Sequence, residues 1–143
     1  MSDSELMQLY SRRILALASA IPHLGKLSDK TGSAHRRSPQ CGSSVDVDVR
    51  LEHGRIADFA QEVRACALGQ ASASVLGAGV IGLDRDGIAA AREALVAMLK
   101  QGGPAPTGVF AGLEALTPAR DFPNRHASIL LAWDATLAAI DAA

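Results

Sequence analysis

Aromatic side chains are scarce in this chain of 143 residues, which has three phenylalanines, one tyrosine and one tryptophan. Hydrophobic residues nevertheless make up 48% of the sequence, so the core must be built mainly from Leu, Ile, Val and Ala. That composition favours helices. The length is typical of one domain and is long enough to bury a core. We therefore expect a single globular domain over residues 1–143.

A strong excess of charge is also missing, because 14 Lys and Arg residues are matched by 15 Asp and Glu residues. Proteins that bind nucleic acid or anionic membranes carry clustered basic charge, so neither is an expected partner. Long apolar runs are missing as well, and none approaches the roughly 18 residues that span a bilayer. The segment SRRILALASA loosely imitates an export signal, but its neighbourhood favours an amphipathic helix. We expect a cytoplasmic protein.

Cysteine is nearly absent, with only Cys41 in SPQCGSS and Cys66 in RACALGQASAS. In a cytoplasmic chain two such residues indicate thiols or metal ligands before they indicate a disulfide. Cys41 lies in a Pro and Gly loop before a strand, and Cys66 lies between a strand and a helix. A helix N-terminus favours the thiolate through its unpaired N–H groups and dipole. Position alone leaves chemistry and simple packing both open for Cys66.

The clearest periodic pattern is an alternation of apolar and polar residues over positions 44–51, which predicts a half-buried strand. Gly54 predicts a hairpin turn into a second strand, RIADFAQEV, whose alternation breaks near Ala60 and suggests a bulge. A short edge strand is expected near Ser33 to Arg37. Together these segments predict an α+β fold with a small antiparallel sheet of about three strands.

Several helices should pack on this sheet. The first is expected from about Ser4 to Ala20, ending before Pro22. A buried helix of about ten residues should follow Cys66, and a stronger one, GIAAAREALVAMLKQ, should be capped by Asp84 or Asp86. Residues 104–123 predict a loop with one or two helical turns. The last segment, RHASILLAWDATLAAIDAA, predicts an amphipathic helix that packs back on the sheet.

An ordered set of motifs runs through nearly the whole chain: LYSRRIL, PQCG, GRIADF, a cysteine followed by ASAS, and PNRHASILLAWDA. This set resembles the iron–sulfur cluster assembly scaffold family of the NifU N-terminal domain, IscU and SufU. Ser128 follows Cys66 by 62 residues, a spacing that looks more like the SufU branch than the shorter IscU branch. The resemblance implies a SufU-like or IscU-like version of the α+β fold.

The chain departs from this family at two ligand positions. The family's usual CGD loop is here Cys41, Gly42 and Ser43, so a hydroxyl replaces the carboxylate. A gapless alignment of the last helix puts Ser128 at the third cysteine, whereas a shift by one residue puts Ala127 there and His126 at the histidine of IscU. The third thiolate is missing under either alignment.

The resemblance implies that Cys41 and Cys66 bind an iron–sulfur cluster or iron, with zinc as the alternative metal. His126, Ser128 and Ser43 are the further candidate ligands, and no residue is expected to be catalytic. A subunit interface, a second protein, glutathione or solvent could complete the ligand set. The implied partners are a cysteine desulfurase and acceptor apoproteins.

Three functions follow from this resemblance. The first is a scaffold that builds and transfers clusters. The second is a SufU-like, zinc-supported sulfur acceptor. The third is a diverged interaction protein that keeps the fold without binding clusters.

Overall fold

The computed structural model describes residues 10–39 and 42–143. Helices and a three-stranded antiparallel sheet combine in the predicted α+β fold. The α-helices are α1 (Arg12–Ala18), α2 (Ala67–Gly79), α3 (Arg85–Lys100) and α4 (His126–Asp141). The strands are β1 (Gly32–Arg37), β2 (Ser44–Glu52) and β3 (Arg55–Arg64). Within the described ranges, no helix is long and apolar enough to cross a membrane.

The sheet is centred on β2, which pairs with β1 on one side and β3 on the other. Val45, Val47 and Val49 turn inward and are buried, as the alternation predicts. The hairpin between β2 and β3 turns at His53 and Gly54, whose φ angles are 54° and 77°. Two consecutive positive φ angles are characteristic of the tight turns that match strand twist. The predicted hairpin is therefore confirmed.

The bulge in β3 lies at Ala57, where the register shifts beside Leu51, and its predicted position near Ala60 is wrong. The physical reason is the spacing of two core residues. Ile56 and Phe59 are both buried although three positions separate them. A regular strand would turn them to opposite faces, so one extra residue is needed to bring both inward.

The first three helices follow the sequence closely. The described part of the predicted first helix is α1, while its predicted beginning at Ser4 lies outside the described residues. Helix α2 has 13 residues rather than about ten. Helix α3 begins after Asp84, whose Oδ1 accepts the Gly87 N–H at 2.9 Å. Asp84 is thus the capping residue of the two candidates.

Residues 104–123 contain more helix than predicted, because Gly108–Asp121 forms a run of 3-10 turns interrupted at Phe110. The buried residues of this run recur every third position: Phe110, Leu113, Leu116 and Ala119. A 3-10 helix has about three residues per turn, so this spacing places all four on one face. A search for the α-helical period misses such a pattern. A second short 3-10 turn, Pro123–Arg125, leads into α4.

Helix α4 is buried on almost every side, so the predicted amphipathic helix with one apolar stripe is wrong. Eleven of its 16 residues are buried. It packs against β1 and β2 as well as against α2 and α3. Its far end is also tied to the start of α3, where Arg85 Nε donates to Asp141 Oδ1 at 2.6 Å and lowers the pKa of that carboxyl group. The helix is therefore central to the fold.

Gly32 allows the C-terminal part of α4 to lie directly on β1. A Cβ atom at this position would collide with the carbonyl oxygen of Ala139 and would come within 2.9 Å of the Ala143 Cβ. We expect Gly32→Ala to lower the free energy of unfolding by about 1–3 kcal/mol because of this overpacking. Urea denaturation measures the change.

Ser33→Ala is the matched control, since Ser33 is the exposed neighbour on the same strand. It should change the free energy of unfolding by less than about 0.5 kcal/mol. Equal losses from the two variants would contradict the assigned close approach of α4 to β1.

Candidate metal and sulfur site

Cys66 is the N-cap residue of α2, with an extended backbone (φ −65°, ψ 169°). Its thiol is free and partly buried, and it makes no capping hydrogen bond to the helix. The Cys66 carbonyl accepts the Gln70 N–H at 2.9 Å, which fixes the residue at the start of the first turn. The sulfur is therefore held at a helix N-terminus, where the helix dipole favours negative charge.

Two buried hydroxyl groups lie beside this thiol. The Cys66 Sγ is 3.5 Å from the Ser128 Oγ, and the Ser128 Oγ is 3.2 Å from the Ser43 Oγ. Both serines are at most 5% exposed. We call these three residues the thiol–hydroxyl cluster. The structure thus brings together three of the five residues that the sequence singles out, from α2, α4 and the start of β2.

Cys41 lies outside the described residues, together with Gln40. The residues on either side of them are tied together by the backbone. Ser38 N–H donates to the Ser43 carbonyl at 2.8 Å, and Gly42 N–H donates to the Ser38 carbonyl at 2.9 Å. These bonds fix Ser43 at the point where the chain enters β2.

The first turn of α4 shows which of the two candidate residues lies near Cys66. Ser128 is buried and faces Cys66, whereas Ala127 is exposed. The geometry therefore favours the gapless alignment, in which a serine hydroxyl lies beside the Cys66 thiol.

His126 is directed differently from Ser128. Its Nε2 lies 2.8 Å from the Ala119 carbonyl oxygen, and the residue is 4% exposed. A carbonyl only accepts hydrogen bonds, so Nε2 carries the proton. The described hydrogen bonds join His126 to the 3-10 run rather than to the thiol–hydroxyl cluster.

Gly69 is a residue of the site that sequence reasoning missed. A Cβ atom there would lie 2.6 Å from the Ser128 Oγ and 2.8 Å from the Ala65 Cβ. The missing side chain lets α4 approach α2 closely at the cluster. Its position one turn after Cys66, on the same helix face, is the signal that could have identified it.

One turn further along, a hydrogen-bonded chain locks α2 to α4. Ser72 Oγ donates to the Ile129 carbonyl at 2.7 Å and accepts the Trp133 Nε1–H at 2.9 Å. All three residues are fully buried. Buried polar groups bonded in this way hold a defined geometry. The packing of the two helices therefore positions Ser128 beside Cys66.

The cluster offers few metal ligands. No group of three or more His, Cys, Asp or Glu residues that could hold a metal ion exists in residues 10–39 and 42–143. Thiolates bind zinc and iron–sulfur clusters, while serine hydroxyls are much weaker ligands because their alkoxides form at far higher pH. With Cys41 included, the chain still supplies only two thiols. A tetrahedral metal bound by these two thiolates needs two further ligands.

Gly69→Ala tests the close approach at the cluster. The added methyl group must displace Ser128 or the helix that carries it, so we expect the free energy of unfolding to fall by about 1–3 kcal/mol. Gly87→Ala is the control, because a Cβ there meets nothing closer than 3.4 Å and alanine is the better helix former. Thermal unfolding should show a loss for the first variant and a small gain for the second. A gain for both would contradict the assigned contact.

Comparison with known proteins agrees with this arrangement. The family model described as the NifU-like N terminal domain matches residues 9–142. The iron–sulfur cluster assembly scaffold protein IscU of Thermotoga maritima is 27% identical over 125 residues, which is 87% of each chain.

Solved structures show the same likeness. The crystal structure of the N-terminal part of a nitrogen-fixing NifU-like protein from Brucella abortus is 44% identical and superposes with a TM-score of 0.92, covering 96% of this chain and 95% of that one. The SufU protein of Fervidobacterium islandicum AW-1 shares the fold, with a TM-score of 0.84, 21% identity and coverage of 94% of this chain and 98% of that chain. The chain belongs to the NifU-like N-terminal domain family, the family of the NifU, IscU and SufU scaffold proteins.

Proposed function

We propose that this protein receives iron and sulfide at a site formed by Cys41 and Cys66, and passes the resulting iron–sulfur cluster to acceptor apoproteins. A cysteine desulfurase is the proposed source of sulfur, and the cytoplasm is the proposed compartment. The observation that carries this proposal is the position of Cys66 Sγ, 3.5 Å from the Ser128 Oγ. We assign Ser128 to the family's third cysteine position on the basis of this contact. The rest of the proposal follows from ligand chemistry.

A site with two thiolate ligands and no carboxylate ligand binds a cluster weakly. A four-coordinate iron bound by two sulfurs of this chain exchanges its remaining ligands readily, because no other strong donor of the cluster competes for it. Cys66 is a partly exposed residue, which is consistent with access of a partner to this position. Weak retention suits a protein whose cargo must leave. It also means that a purified sample loses its cargo easily.

A sulfur-carrier function is the second candidate, and the free, partly exposed thiol at a helix N-terminus is the observation that favours it. In this reaction the Cys66 thiolate attacks the terminal sulfur of a persulfide on the desulfurase. A new S–S bond forms on Cys66, and the cysteine of the desulfurase leaves as a thiolate. The absence of a carboxylate at Ser43 and a thiol at Ser128 weakens the case for a supporting zinc ion.

Anaerobic reconstitution with iron, a cysteine desulfurase and cysteine distinguishes these functions. We expect a visible cluster chromophore in the parent protein and a loss of at least roughly tenfold in bound iron for both Cys41→Ala and Cys66→Ala. Ser128→Ala is the control, and it should retain the chromophore because the hydroxyl is a poor ligand. Bound iron and sulfide are measured directly.

Other results of this experiment would support a different function for the protein. Stoichiometric zinc together with a persulfide on one cysteine, detected by mass spectrometry, indicates the sulfur carrier. If neither metal nor sulfur is bound, the proposed cluster function is wrong and the protein acts through its contacts alone.

Ser128→Cys should restore the third thiolate. Because the Ser128 side chain already faces Cys66, we expect this variant to retain roughly tenfold more iron after desalting than the parent. Ala127→Cys is the matched control, since it adds the same thiol at the neighbouring exposed position. An equal gain from both variants would show that the alignment of α4 with the site is incorrect.

A further inference from the structure

Strand β1 forms an edge of the sheet in the part of the chain that the structure describes. It has six residues and pairs with β2 alone. Four of these residues are exposed to solvent: Ser33, His35, Arg36 and Arg37. An exposed edge strand presents backbone N–H and C=O groups with which another chain can pair. Strand β1 is therefore a candidate docking surface.

The register identifies the backbone groups of β1 that face away from β2. The Ser38 N–H, directly after β1, donates to the Ser43 carbonyl at 2.8 Å, so Ser38 is directed toward β2. In an antiparallel pair every second residue bonds to the neighbouring strand. The alternate residues of β1 therefore direct their N–H and C=O groups outward, and these residues are Ser33, His35 and Arg37.

The hydrogen bonds around β1 agree with this direction. The His35 carbonyl accepts from Arg36 Nη1 at 2.9 Å, an exposed contact between neighbours that a partner strand can replace. Among the described residues, none outside the sheet accepts a hydrogen bond from the N–H of Ser33, His35 or Arg37. The outward side of β1 is thus open to pairing.

The end of β1 carries positive charge that no described carboxylate neutralises. Arg36 and Arg37 are adjacent, and neither forms an ion pair with another described residue. Asp46, which lies opposite His35, is already engaged by His35 Nδ1 at 2.7 Å and by Arg64 Nη1 at 3.7 Å. Complementary charge steers partners and excludes wrong ones. This end of the edge therefore favours acidic side chains.

A cleft of about 570 Å³ extends this basic surface beyond the end of β1. Arg37 and Lys100 both line it, and Lys100 is exposed and forms no ion pair with a described residue. Asp134, the acidic residue of the lining, is matched because its Oδ1 accepts from Arg92 Nε at 2.6 Å. The cleft therefore offers room and positive charge for an acidic side chain.

We infer that β1 binds an extended acidic segment of a partner protein as an additional strand of the sheet. The outward backbone groups of β1 pair with the backbone of the segment, and Arg36, Arg37 and Lys100 bind its carboxylates. In this mode of recognition main-chain hydrogen bonds supply affinity and side-chain contacts supply specificity. The docking uses no residue of the thiol–hydroxyl cluster, so it is independent of the cluster function proposed above.

Titration with the acidic peptide acetyl-TVEVEE-amide, followed by NMR chemical shifts, tests the preference for charge. We expect Arg36→Ala and Arg37→Ala each to weaken binding roughly two- to fivefold, and the lysine peptide acetyl-TVKVKK-amide to bind at least roughly tenfold more weakly than the acidic one. Arg64→Ala is the matched control, because Arg64 is an exposed arginine of β3 in the same row of the sheet as Arg37. Its affinity for the acidic peptide should be unchanged.

Amide hydrogen exchange tests the strand pairing. With saturating acidic peptide, exchange of the N–H groups of β1 that face outward should slow at least roughly tenfold, while exchange in α4 should be unchanged. Two acidic peptides that are N-methylated at alternate residues, in opposite phases, supply a matched pair. The phase that blocks pairing should bind roughly tenfold more weakly than the other, because its backbone cannot donate to β1.

Several outcomes would overturn the inference. These are no binding of the acidic peptide, equal binding of the lysine peptide, equal binding of the two N-methylated peptides, or unchanged exchange in β1. Displacement of the acidic peptide by oligodeoxythymidylate, together with equal binding of the N-methylated pair, would favour single-stranded nucleic acid instead. A dimer in sedimentation equilibrium that protects the same β1 amides without peptide would assign this edge to a second copy of the chain.

Discussion

The enclosure of α4 between the sheet and the other helices is the constraint on which the site depends. Ser72 bridges the Ile129 carbonyl and the Trp133 indole inside this enclosure. The Trp133 ring also meets Phe110 edge to face, with centroids 4.9 Å apart. This aromatic pair joins the 3-10 run to α4, together with the hydrogen bond between His126 and the Ala119 carbonyl. The position of the first turn of α4, and thus of Ser128, is a consequence of this packing.

The two departures from the family pattern, Ser43 and Ser128, lie in the same buried site. A single hydroxyl introduced into a buried site loses its water and needs a new partner, which makes an isolated change costly. Ser43 and Ser128 instead lie 3.2 Å apart and partner each other. They come from positions 85 residues apart in the chain, yet their side chains are in contact. The two departures from the family pattern are therefore coupled physically.

The strands and the beginning of α2 could be predicted because they depend on local patterns. Alternation in β2 reflects two environments on the two faces of one sheet, and Cys66 lies where a strand pattern ends and a run of small residues begins. The bulge at Ala57 could not be placed, because it depends on which β3 residues must enter the core.

The same distinction applies to the site. The motifs left Ser128 and Ala127 as alternatives for the third cysteine position. The direction of His126 is set by Ala119, seven residues earlier, in a segment whose period of three the sequence analysis did not detect. Ser38 Oγ is buried and has no hydrogen-bond partner among the described residues, and nothing in the sequence predicts this. Its burial results from distant elements that close over it. Residue types and their spacing can be read from one sequence. Whether distant elements supply hydrogen-bond partners to a buried polar group cannot.

The open edge of the sheet bears on self-association. The outer side of β3 is covered, since Gln61 exchanges backbone hydrogen bonds with His23 and Gly25 at 2.9 and 3.0 Å. Among the described residues β1 has a strand partner only on its β2 side, and it ends in the exposed pair Arg36 and Arg37. Open strand edges are templates for pairing between copies, and charged side chains oppose it. Antiparallel pairing of two such edges about a two-fold axis near this end would bring arginines together, so the fold resists joining two copies into one continuous sheet there.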